Sequence, residues 1–152
     1  MAGSDAEDET GREAEAEGHV LRLRQDLSEV TRMNAWLEGV AAALGLTDAT
    51  RNDVKLCLNE AVTNALSYGF AGRTDGTVEV AIATEPDGLR VQLSDDGVPF
   101  DPLAAPLAQP AADIGSAAIG GLGITLIRQT ARRVDYARED GRNVLVMRFA
   151  RS

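Results

Sequence analysis

Apolar residues recur along this chain with two different periods, and the switches between them divide it into elements. Across residues 28–44, Val30, Met33, Leu37, Val40 and Ala41 recur every three or four positions, which describes one buried face of a helix ended by Gly45. A second helix is predicted over 48–68, capped by Thr47 or Asp48, closed by Gly69, with Val54, Leu58, Ala61, Val62 and Ala65 as its apolar stripe. Residues 19–24, 77–83 and 89–94 alternate with period two and read as strands, the last two joined in a hairpin through Pro86-Asp87-Gly88. Ile124, Ile127 and Ala131 mark a third helix, and 134–137 and 144–149 close the chain as strands around an Asp140-Gly141 turn. Helices and strands are mixed without a strict strand-helix repeat. The fold class expected is therefore α/β, a two-layer sandwich with a mixed, mainly antiparallel sheet and helices on one face.

Residues 98–119 keep neither period and carry Pro99, Pro102, Pro106 and Pro110. An irregular stretch of that length inside a small domain reads as a lid or binding segment.

The 152 residues fit one domain, expected over 19–152. No run of about 18 apolar residues is present, and the N-terminus is acidic where a secretory leader is basic, so no membrane association is expected and the cytoplasm is the expected location. The net charge of −9 argues against direct nucleic-acid binding. Residues 1–18 hold seven acids and only Arg12 as a base, so they account for −6 of that charge and read as a disordered tail. Cys57 and His19 are the single cysteine and histidine, so any divalent ion needs oxygen ligands. His19 reads as a surface residue, Cys57 and Trp36 as packing residues.

Against this background three short segments carry candidate chemistry. Glu60 and Asn64 stand one helical turn apart at the edge of the second helix's apolar stripe. The carboxylate can take a proton from an attacking hydroxyl and the amide oxygen can ligate Mg²⁺, although the same pair also describes an ordinary polar helix edge. Asp95 extends the odd-numbered series Leu89, Val91, Leu93, which aims it inward at a strand end, where a buried carboxylate needs a donor such as an adenine amino group. The alternative is a plain Asp-Asp-Gly turn. Gly120-Gly121-Leu122-Gly123 directly precedes the third helix, where backbone N–H groups and the helix dipole favour an anion; a flexible hinge is the alternative. It matches neither a P-loop nor a dinucleotide-binding fingerprint.

Taken in order, these segments resemble the Bergerat-fold (GHKL) ATPases, the superfamily of gyrase, histidine kinases and MutL, and most closely the anti-sigma-factor serine kinases of the RsbW and SpoIIAB kind. The string 59–65 resembles the family's first box, 95–102 its adenine box and 121–123 its phosphate box, over about residues 19–149. The resemblance implies ATP bound between sheet and lid. It assigns Glu60 as general base, Asn64 as Mg²⁺ ligand, Asp95 as the adenine contact, Gly97 as a close backbone approach to the base, and Gly121 and Gly123 as the phosphate loop. The implied activity is a serine/threonine protein kinase and anti-sigma factor acting on a STAS-type anti-anti-sigma partner, with a sigma factor as second partner and homodimerisation common among relatives. A non-catalytic nucleotide-binding module that sequesters its partner is the alternative. A histidine kinase would need a phosphoacceptor hairpin, and a gyrase-type ATPase a transducer domain. Three departures from the family pattern stand out: Pro99 near a customary glycine, Tyr68 at a customary histidine, and Gly141-Arg142-Asn143 in place of a Gly-Thr pair that helps hold the base.

Overall fold

The computed structural model describes residues 18–103 and 122–150 and arranges them as β1 (Gly18–Arg24), α1 (Glu29–Leu44), α2 (Asp48–Tyr68), β2 (Thr77–Glu85), β3 (Gly88–Asp95), α3 (Leu122–Thr130), β4 (Arg133–Glu139) and β5 (Arg142–Phe149). The strands form one sheet in the order β1-β2-β3-β5-β4, and every neighbouring pair is antiparallel. Two-residue turns impose that direction on β2–β3 and β4–β5. Pro86-Asp87 joins β2 to β3 with Glu85 paired to Gly88, so Gly88 opens the strand instead of completing the turn. Asp140-Gly141 joins β4 to β5 with φ of 52° and 76°, the left-handed pair that matches the twist of a tight hairpin.

Register sorts the sheet's two faces. Val80 of β2 pairs with Leu93 of β3, which pairs with Leu145 of β5, and Ile82, Val91 and Met147 repeat the alignment one step along. These side chains share a core with Met33 and Leu37 of α1, Val54, Leu58 and Val62 of α2, and Ile127 of α3. Each buried aliphatic side chain of this kind contributes roughly 1.5–3 kcal/mol of transfer free energy.

The helix ends follow local chemistry. Thr47 caps α2, its hydroxyl accepting the Thr50 N–H at 3.2 Å. Gly45 takes a left-handed φ of 67° and returns its N–H to Ala41 and Ala42, closing α1. Ser28 makes no side-chain cap at the start of α1, and Glu29 ties that end of the helix to β1. Its buried carboxylate accepts the Arg24 N–H at 2.9 Å and two bonds from Arg32, at 2.9 and 3.0 Å. The Arg32 guanidinium and the Arg24 N–H outweigh burial and hold the Glu29 carboxyl at about 2. Asn34 and Asn59 exchange side-chain hydrogen bonds of 3.0 and 2.8 Å, fixing α1 against α2.

The acidic segment before Gly18 and the expected lid beyond residue 103 lie outside the described residues. Among the described residues no helix is long and apolar enough to cross a membrane, and no group of three or more His, Cys, Asp or Glu side chains is placed to hold a metal ion.

Candidate functional site

Glu60 and Asn64 converge on the start of α3. A methyl group built on Gly123 would stand 2.9 Å from Glu60 Oε1 and 3.1 Å from Asn64 Nδ2, so the glycine backbone lies directly against both polar groups. The pair is therefore more than a solvated helix edge: it faces the first turn of another helix, the end at which the helix dipole favours negative charge. Asn59 of the same segment has a different task, the amide exchange with Asn34. Gly121 lies outside the described residues.

The two acids of the Asp-Asp-Gly segment part company. Asp95 faces the core side of the sheet, 8% exposed, with Oδ1 accepting the Gly97 N–H at 2.9 Å and the Asn143 amide at 3.0 Å. No donor among the described residues reaches Oδ2. Asp96 points the other way, accepting Thr77 N–H at 2.9 Å and Arg73 at 3.3 Å. Burial alone would raise its carboxyl, but the Thr77 N–H and the Arg73 guanidinium outweigh that and hold it below the ordinary carboxylate range. Of the two acids, Asp95 lines the cleft between α2 and the sheet, whereas Asp96 is engaged by Thr77 and Arg73.

Gly97 is required by a backbone contact. A Cβ there would fall 2.2 Å from the Gly69 carbonyl oxygen, which accepts the Val98 N–H at 2.9 Å. This contact docks the C-terminal end of α2 onto the end of β3 and so sets Glu60 and Asn64 relative to Asp95. Arg138 braces the same loop through the Gly97 carbonyl at 2.9 Å.

Between these elements opens a cleft of about 390 Å³, floored by Leu93 and Leu145, walled by Ala61, Ala65 and Ile124, and lined by Asn64 and Asp95. Tyr68 and Phe100, both more than half exposed, stand at its mouth. A flat heteroaromatic group matches such a lining, and Asp95 Oδ2 offers it one charged acceptor. Tyr68 and Pro99, two of the departures noted from sequence, both line the cleft.

The third departure is the residue that sequence reasoning missed. Asn143 is 7% exposed and pairs across the strands with Asp95. It heads the inward series Asn143, Leu145, Met147, Phe149 of β5 just as Asp95 ends that of β3. A polar residue at the head of a buried alternating series was the available signal. Tyr136, half-buried on β4, and Arg138, exposed two positions further along it, also went unread.

Residues 23–149 match the family described as the histidine kinase-like ATPase domain. Among curated relatives, the Listeria monocytogenes serine-protein kinase RsbW is 31% identical over 117 residues, covering 74% of this chain and 74% of that one. The anti-sigma F factor of Clostridium beijerinckii is 30% identical over 115 residues, covering 70% of this chain and 78% of that one. Among solved structures, the RsbU and RsbW domains of a Mycobacterium tuberculosis protein align with a TM-score of 0.64 at 16% identity, over 88% of this chain and 32% of that one, a likeness of fold.

Proposed function

Because the chain belongs to the histidine kinase-like ATPase domain family, and within it to the branch of the RsbW serine-protein kinases, we propose that it is an ATP-dependent protein serine/threonine kinase that doubles as an anti-sigma factor. The observation that carries this reading is the open Oδ2 of buried Asp95 at one end of an apolar cleft whose other end brings Glu60 and Asn64 against Gly123.

In this reading the adenine ring lies in the cleft with its exocyclic amine donating to Asp95 Oδ2, and Gly97 lets the backbone approach the base. The phosphates run toward Gly121 and Gly123 at the start of α3, where backbone N–H groups stabilise their charge. Asn64 would hold Mg²⁺ shared with the phosphates, and the ion would supply charge neutralisation there. Glu60 takes the proton of the incoming serine or threonine hydroxyl as its oxygen bonds to the γ-phosphorus. The bond to the β,γ-bridging oxygen breaks and ADP leaves with that electron pair. The substrate is a STAS-type anti-anti-sigma protein, with a sigma factor competing for the same kinase in the cytoplasm, and the kinase acts as a homodimer.

The test is phosphate transfer from ATP to a STAS-domain partner, with Glu60→Gln as the diagnostic variant. The expected result is phosphorylated partner with wild-type protein and a loss of about 100-fold or more in the variant at unchanged ATP affinity. Undiminished transfer by Glu60→Gln removes Glu60 from the role. ATP-dependent retention of the partner without any transfer marks the non-catalytic module instead.

A further inference from the structure

The face of the sheet turned away from the helices carries a row of charge that the cleft does not use. The helices meet the sheet through Val80, Leu93, Leu145 and the residues in step with them. Residues of the opposite parity form an outer face, with no helix on it among the described residues. Across that face one line of directly paired residues runs Gly18, Ala83, Arg90, Arg148, Arg133, one each from β1, β2, β3, β5 and β4. Three arginines thus stand side by side on three adjacent strands, and like charges directly opposite one another are unfavourable. Two carboxylates offset part of this. Glu85 meets Arg148 at 3.1 Å, and Asp135 meets Arg133 at 2.8 Å and Arg148 at 3.6 Å. Arg90 has no carboxylate partner among the described residues and donates to Gln92 Oε1 at 2.7 Å.

The same row is where the acidic N-terminal segment joins the fold. Gly18 opens β1 and takes the first place in the row. Directly before it, outside the described residues, the sequence reads Glu13-Ala14-Glu15-Ala16-Glu17, three acids at every second position with no base among them. Neighbouring strands lie about 4.8 Å apart, which puts Arg90 about 10 Å, Arg148 about 14 Å and Arg133 about 19 Å from Gly18 along the row. The five residues from Glu13 to Gly18 reach about 17 Å, so three glutamates and three arginines cover the same span. Ala83, the one residue between Gly18 and Arg90, has only a methyl group and leaves the path open.

We propose that Glu13, Glu15 and Glu17 dock in cis on the row Arg90, Arg148 and Arg133, so that the chain's own acidic arm covers the outer face of the sheet. Exposed ion pairs are individually weak, but an arm tethered at Gly18 meets the row at a high effective concentration. A separate acidic partner has to displace the arm to occupy this face. No residue of the cleft takes part, so the docking stands or falls apart from the kinase reading.

The test is NMR on the full chain, following backbone amides and arginine Nε–H groups from about 0.01 to 1 M salt, where the screening length falls from about 30 to about 3 Å. Wild type is compared with Glu13→Gln/Glu15→Gln/Glu17→Gln and with Arg90→Gln/Arg133→Gln. The arm variant is expected to shift the resonances of Arg90, Gln92, Arg133 and Val146 at low salt while leaving Asn64 and Asp95 in place. Raising the salt moves the wild-type resonances at least about two thirds of the way to those of the arm variant. In Arg90→Gln/Arg133→Gln the amides of Glu15 and Glu17 lose their salt dependence. Outer-face resonances that coincide in wild type and the arm variant at low salt overturn the proposal. A shift that fades on tenfold dilution overturns it too, because the arm on the row then belongs to a second copy. If the arginine variant fails to fold, the arm variant decides alone, since its substitutions lie outside the sheet.

Discussion

Gly123 and Glu60 are in direct contact across the α2–α3 interface, with space for a hydrogen and none for a methyl group: a Cβ on Gly123 would lie 2.9 Å from Glu60 Oε1. The obstructing atom is the end of a flexible side chain, so Gly123→Ala should fold with a melting temperature within a few degrees of wild type while displacing the carboxylate. A displacement of about 1 Å at a reacting group can cost on the order of 100-fold. Transfer rates and melting curves measured together check this. A wild-type rate in Gly123→Ala would mean that Glu60 needs no such placement.

Asp95→Asn keeps the side chain's shape and an oxygen that can still accept from Gly97 and Asn143, but it turns an NH₂ toward the cleft. Two donors then face each other where the base amine belongs. We predict a loss of ATP affinity of about 1–3 kcal/mol, read as roughly 5- to 150-fold in calorimetry, with little change in stability. Unaltered affinity would place the base elsewhere.

Gly97→Ala differs in kind, because the obstruction is the Gly69 carbonyl at 2.2 Å, part of a backbone that cannot swing aside. The Val98–Gly69 contact must open, at about 1–3 kcal/mol. For a domain of this size that corresponds to a fall of roughly 3–10 °C in melting temperature. Scanning calorimetry decides between this and a loop that simply shifts.

Glu29 links stability to acid pH. Its folded carboxyl sits at about 2 against an ordinary 4.5, so its contribution is complete above about 4.5 and fades as pH falls from there toward 2. Glu29→Gln should lose about 1–3 kcal/mol at pH 7 in urea unfolding, and the gap to wild type should close near pH 2. A gap independent of pH would assign the loss to packing alone.

Cys57 is buried, and burial together with the neighbouring Asp53 and Glu60 carboxylates pushes its thiol up to about 12. A thiol reagent at pH 8 should leave native protein unmodified and label it fully in urea. Rapid labelling of the native state would show that α2 opens locally from α3.

How far the site was legible from sequence differs residue by residue. Asp95 was readable because its place in the odd series of β3 already gave its direction, and Asp96, one step on, had to face away. Glu60 and Asn64 were readable as a pair but not as a site, since helical spacing gives a shared face without saying what that face meets. Asn143 was legible only as a polar residue at the head of the buried series of β5. Its role depends on lying across the ladder from Asp95, 48 positions away in sequence, and on the lid root passing within hydrogen-bond reach.

The chain's own pattern determined the elements, their order, the antiparallel hairpins and the inward face of each strand, because periodicity, turn chemistry and capping act over a few residues. Tertiary structure alone decided that Gly123 meets Glu60, that Gly97 rests on Gly69, and that Asn143 ties the Asp95 carboxylate to Val98 and Phe100. These contacts join residues tens of positions apart, and their existence depends on ångström-scale packing that no local pattern encodes.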